Sequence, residues 1–181
     1  MSKLIMGDFL PDFSFQTPYL QNCKIGTIAK QVSGKTALIF LRYYGCTLCQ
    51  YDIQLFAEAY NEIKKTDGQI LIVLQSDPSK LATELSDTDV PFHIICDPDQ
   101  ILYKEFEIGA ADSVMGLVDA TTIEKISRVN AAGYVHGDYE GEELQLPATI
   151  IVNRELELIY VRYGQSAGDV PTPEEVIELL S

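Results

Sequence analysis

The sequence contains no tryptophan and only 2 histidines, and basic residues are scarce: 13 lysines and arginines stand against 27 aspartates and glutamates, a formal net charge of −14. Because phosphate binding depends on basic patches, this balance argues against nucleic acid or an anionic membrane surface as a partner. No apolar run approaches the roughly 20 residues that a membrane span requires, and the N-terminal segment lacks the apolar stretch of a secretory signal. We therefore expect a soluble cytoplasmic protein.

Cysteines are also few, with 4 in the chain, which is too few for a disulfide scaffold. Cys23 and Cys96 are isolated in the sequence and are expected to be small apolar residues or bystanders. A structural zinc site needs four ligands, usually in paired clusters, and the remaining candidates, including His93 and His136, are unpaired. We expect neither a metal nor a cofactor.

The most informative segment is Cys46-Thr47-Leu48-Cys49, which follows the apolar run TALIFLR and opens a long amphipathic stretch. The start of a helix supplies free backbone N–H groups and a positive dipole end, and both favour a thiolate. The thiolate is the reacting form of cysteine, and such settings lower the cysteine pKa below its usual ~8.5. The pair is therefore a candidate for making and breaking a disulfide.

Strand and helix patterns alternate along the chain, which is typical of an α/β layer fold. Neither an internal repeat nor a low-complexity linker interrupts them, so one domain over residues 1–181 is predicted. In order, the patterns predict a buried strand at 36–42, a helix at 47–65, a strand at 69–75, a helix that starts at Asp77-Pro78, a strand at 91–95, and a helix from Asp97-Pro98 through Phe106 with Gln100 completing a capping box.

The second half of the chain is less regular. Residues 119–128 are compatible with a helix, and residues 131–145, rich in glycine and acids, are predicted to form a loop beside the site. Two strands, 148–152 and 157–163, are predicted to form an antiparallel hairpin at one edge of the sheet. A capping box at Thr172 introduces a closing helix.

This order of elements, the cysteine pair and the ending LPATIIVNRELELIYVRYG together resemble the thioredoxin superfamily. The likeness is greatest to its peroxiredoxin branch, the alkyl hydroperoxide reductase and thiol-specific antioxidant group. The opening MGDFLPDFSFQT and the phrase CDPDQILYKEF are similar to segments of that branch. The resemblance implies a central mixed sheet, with a parallel core and an antiparallel C-terminal hairpin, flanked by helices.

The resemblance leaves open which of the two thiols attacks the substrate and which one resolves the intermediate. Peroxiredoxins carry the pattern P-x-x-x-T-x-x-C, and placing its cysteine on Cys49 puts Cys46 at the threonine and Arg42 at the proline. In that comparison Cys49 attacks peroxide and Cys46 resolves it, whereas in the comparison with thioredoxin Cys46 attacks and Cys49 resolves. An acid that thioredoxins bury is replaced here by Phe40. Peroxiredoxins use an arginine from a later strand to stabilise the thiolate, but no arginine precedes the segment ATIIV here. Arg42 either supplies this positive charge instead or reaches solvent.

The likeness to thioredoxins also implies that Pro147 is a cis proline that presents the backbone of Leu146 to a sulfur substrate. Thr47 and Tyr44 are the other residues expected to shape the site, although Tyr44 could instead only cover the helix start.

The resemblance implies a thiol peroxidase or dithiol-disulfide oxidoreductase, an antioxidant enzyme that cycles Cys46 and Cys49 and reduces hydroperoxides. Its reductant would be thioredoxin or glutathione, and a homodimer is possible. Two alternatives stay open: a thioredoxin-like protein-disulfide reductase without peroxidase activity, and a redox-silent binding module with the same fold.

Overall fold

The computed structural model describes residues 3–181, which form a five-stranded sheet, a short two-stranded ribbon and seven helices. The strands are β1 (Ser14–Phe15), β2 (Cys23–Lys24), β3 (Thr36–Phe40), β4 (Gln69–Leu74), β5 (His93–Cys96), β6 (Ala148–Val152) and β7 (Leu158–Tyr163). The helices are α1 (Ile25–Ala29), α2 (Thr47–Lys64), α3 (Pro78–Glu84), α4 (Ile101–Glu105), α5 (Val114–Leu117), α6 (Ala120–Ala131) and α7 (Pro173–Leu180). Within residues 3–181 the helices are too short or too polar to cross a membrane.

The main sheet has the strand order β5-β4-β3-β6-β7. Strand β3 pairs in parallel with β4, which pairs in parallel with β5. On its other side β3 pairs antiparallel with β6, and β6 forms an antiparallel hairpin with β7. The predicted mixed sheet, with its parallel core and antiparallel C-terminal hairpin, is therefore confirmed.

The central strand β3 is buried on both faces, which explains why its sequence is continuously apolar rather than alternating. Ala37 and Ile39 face a core that includes buried residues of α2 and α7. Leu38 and Phe40 face a second core, which includes residues of α1 and α4. The helices therefore cover both faces of the sheet, and α2 is held against it directly behind the cysteine pair.

The predicted start of the helix after β5 is wrong. Helix α4 begins at Ile101, three residues later than the Asp97-Pro98 signal suggests, and Gln100 adopts a left-handed conformation with φ 57°. The Asp97 carboxylate accepts hydrogen bonds from the backbone N–H groups of Ile101 (2.9 Å) and Leu102 (2.8 Å). Because Asp97 reaches the first turn of the helix directly, Gln100 completes no capping box.

Tyr103 of α4 fastens the sheet edge from which the site is built. Its buried hydroxyl lies 2.6 Å from the carbonyl oxygen of Leu41 and 2.9 Å from that of Val73. These carbonyls belong to the end of β3 and to β4, so one side chain holds neighbouring strands together immediately before Arg42. The Tyr103 ring also meets Phe40 edge-on, with ring centroids 5.2 Å apart.

We expect Tyr103→Phe to lower the free energy of unfolding by about 1–3 kcal/mol, because buried carbonyls lose a donor that water cannot replace. Tyr160→Phe, a half-buried tyrosine of β7, is the matched control. Urea denaturation of both variants checks this, with an unchanged m-value showing that the denatured state is the same. Equal stability of the two variants would show that the Tyr103 hydroxyl contributes nothing.

Candidate active site

The cysteine pair lies at the edge of the sheet where the parallel strands end. Arg42 comes two residues after the end of β3, and α2 begins at Thr47. The chain leaves β4 at the same edge, so that Gln75 and Ser76 are neighbours of this loop: the backbone N–H of Tyr44 donates to Ser76 Oγ at 2.9 Å. In open α/β sheets the carboxyl ends of the strands are the usual place for a binding or catalytic site.

Cys46 is the N-cap residue of α2, and its sulfur is surrounded by hydrogen-bond donors. Arg42 Nη2 donates to Cys46 Sγ at 2.9 Å, and the backbone N–H of Cys49 donates at 3.4 Å. The Cys46 side chain is only 1% exposed. A buried sulfur that accepts these hydrogen bonds beside a guanidinium is in a setting that favours its anionic form.

The two thiols have opposite pKa shifts. The hydrogen bond from the Cys49 thiol, together with the Arg42 guanidinium and the Cys49 backbone N–H, lowers the pKa of Cys46 to about 6 against the opposing effect of burial. Burial raises the pKa of Cys49 well above its ordinary value, and its hydrogen bond to the negatively charged Cys46 sulfur raises it further. Near neutral pH the reduced pair is therefore one thiolate with one neutral thiol as its donor.

The isolated cysteines show what burial does without such partners. Burial, with the carboxylates of Asp77 and Glu140 nearby, raises the pKa of Cys96 to about 12. Cys23 is half-buried in β2 and lies outside the site. All four cysteines are free thiols, and Cys46 is the one whose sulfur accepts a hydrogen bond from a positively charged donor.

A segment that we call the strap, residues 134–143, closes over the cysteine pair. The backbone N–H of Gly137 donates to the carbonyl oxygen of Gly45 at 2.8 Å, directly before Cys46. Arg42, which donates to Cys46 through Nη2, donates through Nη1 to the Glu143 carbonyl oxygen at 2.7 Å. Further contacts hold the strap along its length: Gln50 Nε2 to Val135 O (3.4 Å), Lys80 to Asp138 (3.0 Å), the Asp77 N–H to Glu140 (3.0 Å) and the Glu142 N–H to Gln75 (2.6 Å).

Aromatic residues join the strap to the loop before Cys46. Tyr43 is fully buried, and its hydroxyl lies 3.4 Å from His136 Nε2 in the strap. The His136 ring stacks on Tyr139, with ring centroids 4.4 Å apart, and its Nδ1 is 2.7 Å from the Gly137 carbonyl oxygen. The predicted loop of residues 131–145 contains no strand and only the last residue of α6, Ala131, and it packs on the site.

Pro147 lies beside the pair, but the expected cis bond is wrong: the Leu146–Pro147 peptide bond is trans. The trans form is the more stable one for a prolyl bond, and the surrounding chain fits it here. The backbone of Leu146 is also already paired, since its N–H donates to the Gly109 carbonyl oxygen (3.1 Å) and its own carbonyl accepts from Gln145 Nε2 (3.1 Å). Leu146 therefore presents no free edge to an extended substrate.

The other expected site-shaping residues lie close by. Thr47 is the first residue of α2 and is half-buried. Tyr44 is half-buried and packs against the core behind the pair, and burial raises its pKa. Pro147, Arg42 and Cys49 line a common narrow cavity between α2 and the end of the sheet.

The sequence analysis missed an ion pair behind the cysteines. Asp52, 5% exposed, lines the same cavity as Cys49, and Lys125 of α6 donates to its carboxylate oxygens at 2.7 and 3.0 Å. A signal for it exists in the sequence. Asp52 stands four residues after Leu48 and four before Phe56, in the middle of the apolar face of α2.

We expect Arg42→Gln to raise the pKa of Cys46 from about 6 towards its ordinary ~8.5, because the guanidinium that stabilises the thiolate is removed. The thiolate population at pH 7 then falls from a majority to a minority. Thiolate absorbance during a pH titration measures the shift, and the exposed Arg154→Gln serves as the control. A titration of the Arg42 variant that overlays the parent curve would remove Arg42 from this role.

We expect Gly45→Ala to displace the strap and expose Cys46, because a Cβ at Gly45 would lie 2.1 Å from the Asp138 carbonyl oxygen. Gly109→Ala is the matched control, since a Cβ there meets nothing within 4 Å. The rate of Cys46 alkylation by iodoacetamide at a pH where the thiol is ionised should rise at least severalfold in the first variant only. Equal alkylation rates in both variants would mean that the strap does not limit access.

Comparisons with known proteins give one family and one fold. Three solved structures superpose over nearly the whole chain. The peroxidoxin BcpB from Mycobacterium tuberculosis has a TM-score of 0.68 and 11% identity, and the match covers 97% of this chain and 95% of that one. A yeast mitochondrial 1-Cys peroxiredoxin has a TM-score of 0.63 and 12% identity, with coverage of 96% and 73%, and a protein from Chlorobium tepidum assigned as thiol:disulfide interchange protein DsbE has a TM-score of 0.60 and 12% identity, with coverage of 99% and 100%. At these identities the likeness shows the thioredoxin-like fold.

No curated protein sequence matches the chain significantly. The sequence model described as the AhpC/TSA family, however, matches residues 6–161, which is most of the chain and includes the cysteine pair, the strap and most of the C-terminal hairpin. The chain belongs to the AhpC/TSA family and is a thiol-dependent oxidoreductase of the peroxiredoxin-like type.

Proposed function

We propose that this protein reduces hydroperoxides, with Cys46 as the attacking thiolate and Cys49 as the resolving thiol. The observation that carries the proposal is the Cys46 sulfur itself, which Arg42 and the Cys49 backbone N–H hold as an anion in a nearly closed site. Its pKa is lowered and that of Cys49 is raised, so the two thiols differ in role before any substrate arrives.

The closed site favours a small oxidant over a protein disulfide. Cys46 lies beneath the strap, so a protein substrate cannot reach its sulfur without displacing that segment. The chain edge next to Pro147 is already paired with residues 109–111, through Leu146 to Gly109 and Ala111 to Leu144 (2.8 Å). A hydroperoxide needs only a narrow opening to reach the sulfur. The Arg42 guanidinium, which stabilises the thiolate, is also placed to polarise the hydroperoxide.

The reaction follows in balanced steps. The Cys46 thiolate attacks one peroxide oxygen, so that an S–O bond forms while the O–O bond breaks, and the alcohol leaves after taking a proton. Cys46 is now a sulfenic acid. The Cys49 thiol loses its proton, its sulfur attacks Cys46, and hydroxide leaves with a proton as water. The product is the Cys46–Cys49 disulfide, which thioredoxin or glutathione reduces by returning the electron pair and protons.

Helix geometry suits this disulfide. Residues three apart at the start of a helix are neighbours, and the backbone N–H of Cys49 already donates to the Cys46 sulfur at 3.4 Å. The pair can therefore close without moving the sheet.

Single cysteine variants test the proposal. We expect Cys46→Ser to abolish hydroperoxide consumption supported by an external reductant, because the only activated thiolate is removed. Cys49→Ser should consume one equivalent of hydroperoxide and stop, with a sulfenic acid on Cys46 that dimedone captures and mass spectrometry locates. Cys23→Ser is the matched control and should behave as the parent.

Three other outcomes contradict the proposal in different ways. Activity that survives Cys46→Ser and is lost in Cys49→Ser would reverse the two roles. Reduction of insulin disulfides without hydroperoxide turnover would make the protein a disulfide reductase. A pair that never becomes a disulfide under mild oxidation would leave a binding module.

A further inference from the structure

The proposed cycle does not yet name the group that carries the proton of the Cys49 thiol. The Cys49 thiol must lose its proton before its sulfur can attack an oxidised Cys46, yet Cys49 is only 4% exposed and burial raises its pKa. Little of that thiol meets bulk water, so a proton acceptor inside the protein would assist its ionisation.

Asp52 occupies the position that such an acceptor requires. It lies one helical turn after Cys49 on the same side of α2, where side chains three residues apart are neighbours. Both residues line the narrow cavity behind the pair, with about 10 Å³ open to the centre of a water molecule, which is room for about one water. The shared cavity therefore offers a place for a proton to pass from the thiol to the carboxylate.

The charged groups around Asp52 set the position and the protonation of its carboxylate. Lys125 reaches it from α6 and donates to both carboxylate oxygens. Arg42, Cys46 and Cys49 face it from the end of β3 and the start of α2. Burial raises the pKa of Asp52 to about 6, with Lys125 opposing this rise and the Cys46 thiolate adding to it. Above that pH Asp52 is a carboxylate that can accept a proton, and it is basic enough to do so.

We propose that Asp52 accepts the proton of the Cys49 thiol during resolution, with Lys125 as the positioning residue that fixes the carboxylate. This inference rests on the proposed function, since it concerns the second step of the same cycle. The proton leaves Cys49 as its sulfur bonds to Cys46, and protonated Asp52 then returns it to the hydroxide that departs from the sulfenic acid, forming water. No electrons move through Asp52.

The experiment is a single-turnover oxidation of the reduced protein with one equivalent of hydroperoxide, quenched at intervals. Mass spectrometry follows sulfenic acid on Cys46 and the Cys46–Cys49 disulfide separately, across pH 5 to 8. We expect Asp52→Asn to slow disulfide formation about a hundredfold at pH 7, a typical effect of losing a general base, while leaving formation of the sulfenic acid nearly unchanged. The parent resolution rate should rise with pH as Asp52 ionises, and this rise should disappear in the variant.

Two further variants separate proton transfer from stability. Asp52→Asn leaves the half-buried Lys125 without its carboxylate partner, so Asp52→Asn combined with Lys125→Met removes the whole ion pair and should be equally slow. Lys125→Met alone keeps the carboxylate but removes the charge that lowers its pKa, so the rise in resolution rate should move to higher pH. If Asp52 and Lys125 only join α2 to α6, all variants lose stability together and the pH profile keeps its midpoint, which overturns the proposal.

Failure of the proposed function has a different signature. If hydroperoxide does not oxidise Cys46, the same variants are oxidised with a small aromatic disulfide that releases one coloured thiolate when Cys46 attacks and a second when Cys49 resolves. Slowing of the second release alone in Asp52→Asn supports the role of Asp52 even without peroxidase activity. Equal release rates in parent and variant contradict it, and a pair that neither reagent converts to a disulfide refutes both proposals.

Discussion

The hydrogen bond from the Arg42 guanidinium to the Cys46 sulfur connects the charge of the site with its closure. One nitrogen of the guanidinium donates to the sulfur, and the other donates to the carbonyl of Glu143 at the end of the strap. The same side chain therefore favours the thiolate and holds the segment that shields it from water. Because the planar guanidinium presents its donors at fixed angles, a lysine at this position could not make both contacts in the same way.

The sequence predicts the regular elements of this protein well because their signals are local. The apolar run of β3, the start of α2 at Cys46 and the capping box at Thr172 all follow from neighbouring residues, and the structure confirms these elements. Two-residue strands such as β1 and β2 carry no pattern long enough to detect. The start of α4 was predicted wrongly because Asp97, unlike an ordinary N-cap, reaches past Gln100 to the next N–H groups.

The site itself was only half visible in the sequence. Its sulfurs and Arg42 lie within eight residues of each other, so their proximity could be inferred from spacing alone. The strap could not, because Gly137 and Gly45 are brought together only by folding. The same holds for Lys125, which lies far along the chain from Asp52 and meets it because α6 packs against α2. Pro147 lines the same cavity as Cys49, whereas its peptide geometry depends on pairing that the sequence does not display.

Burial creates an electrostatic problem that this arrangement solves locally. A thiolate and a carboxylate cannot both be kept away from water unless positive charges accompany them, since an unpaired buried charge is strongly unfavourable. Here Arg42 accompanies Cys46 and Lys125 accompanies Asp52, so the charges of the buried cluster cancel although the whole chain carries −14. The overall acidity therefore says little about the reaction that we propose, because the cysteine pair lies in a locally neutral cluster at the sheet edge.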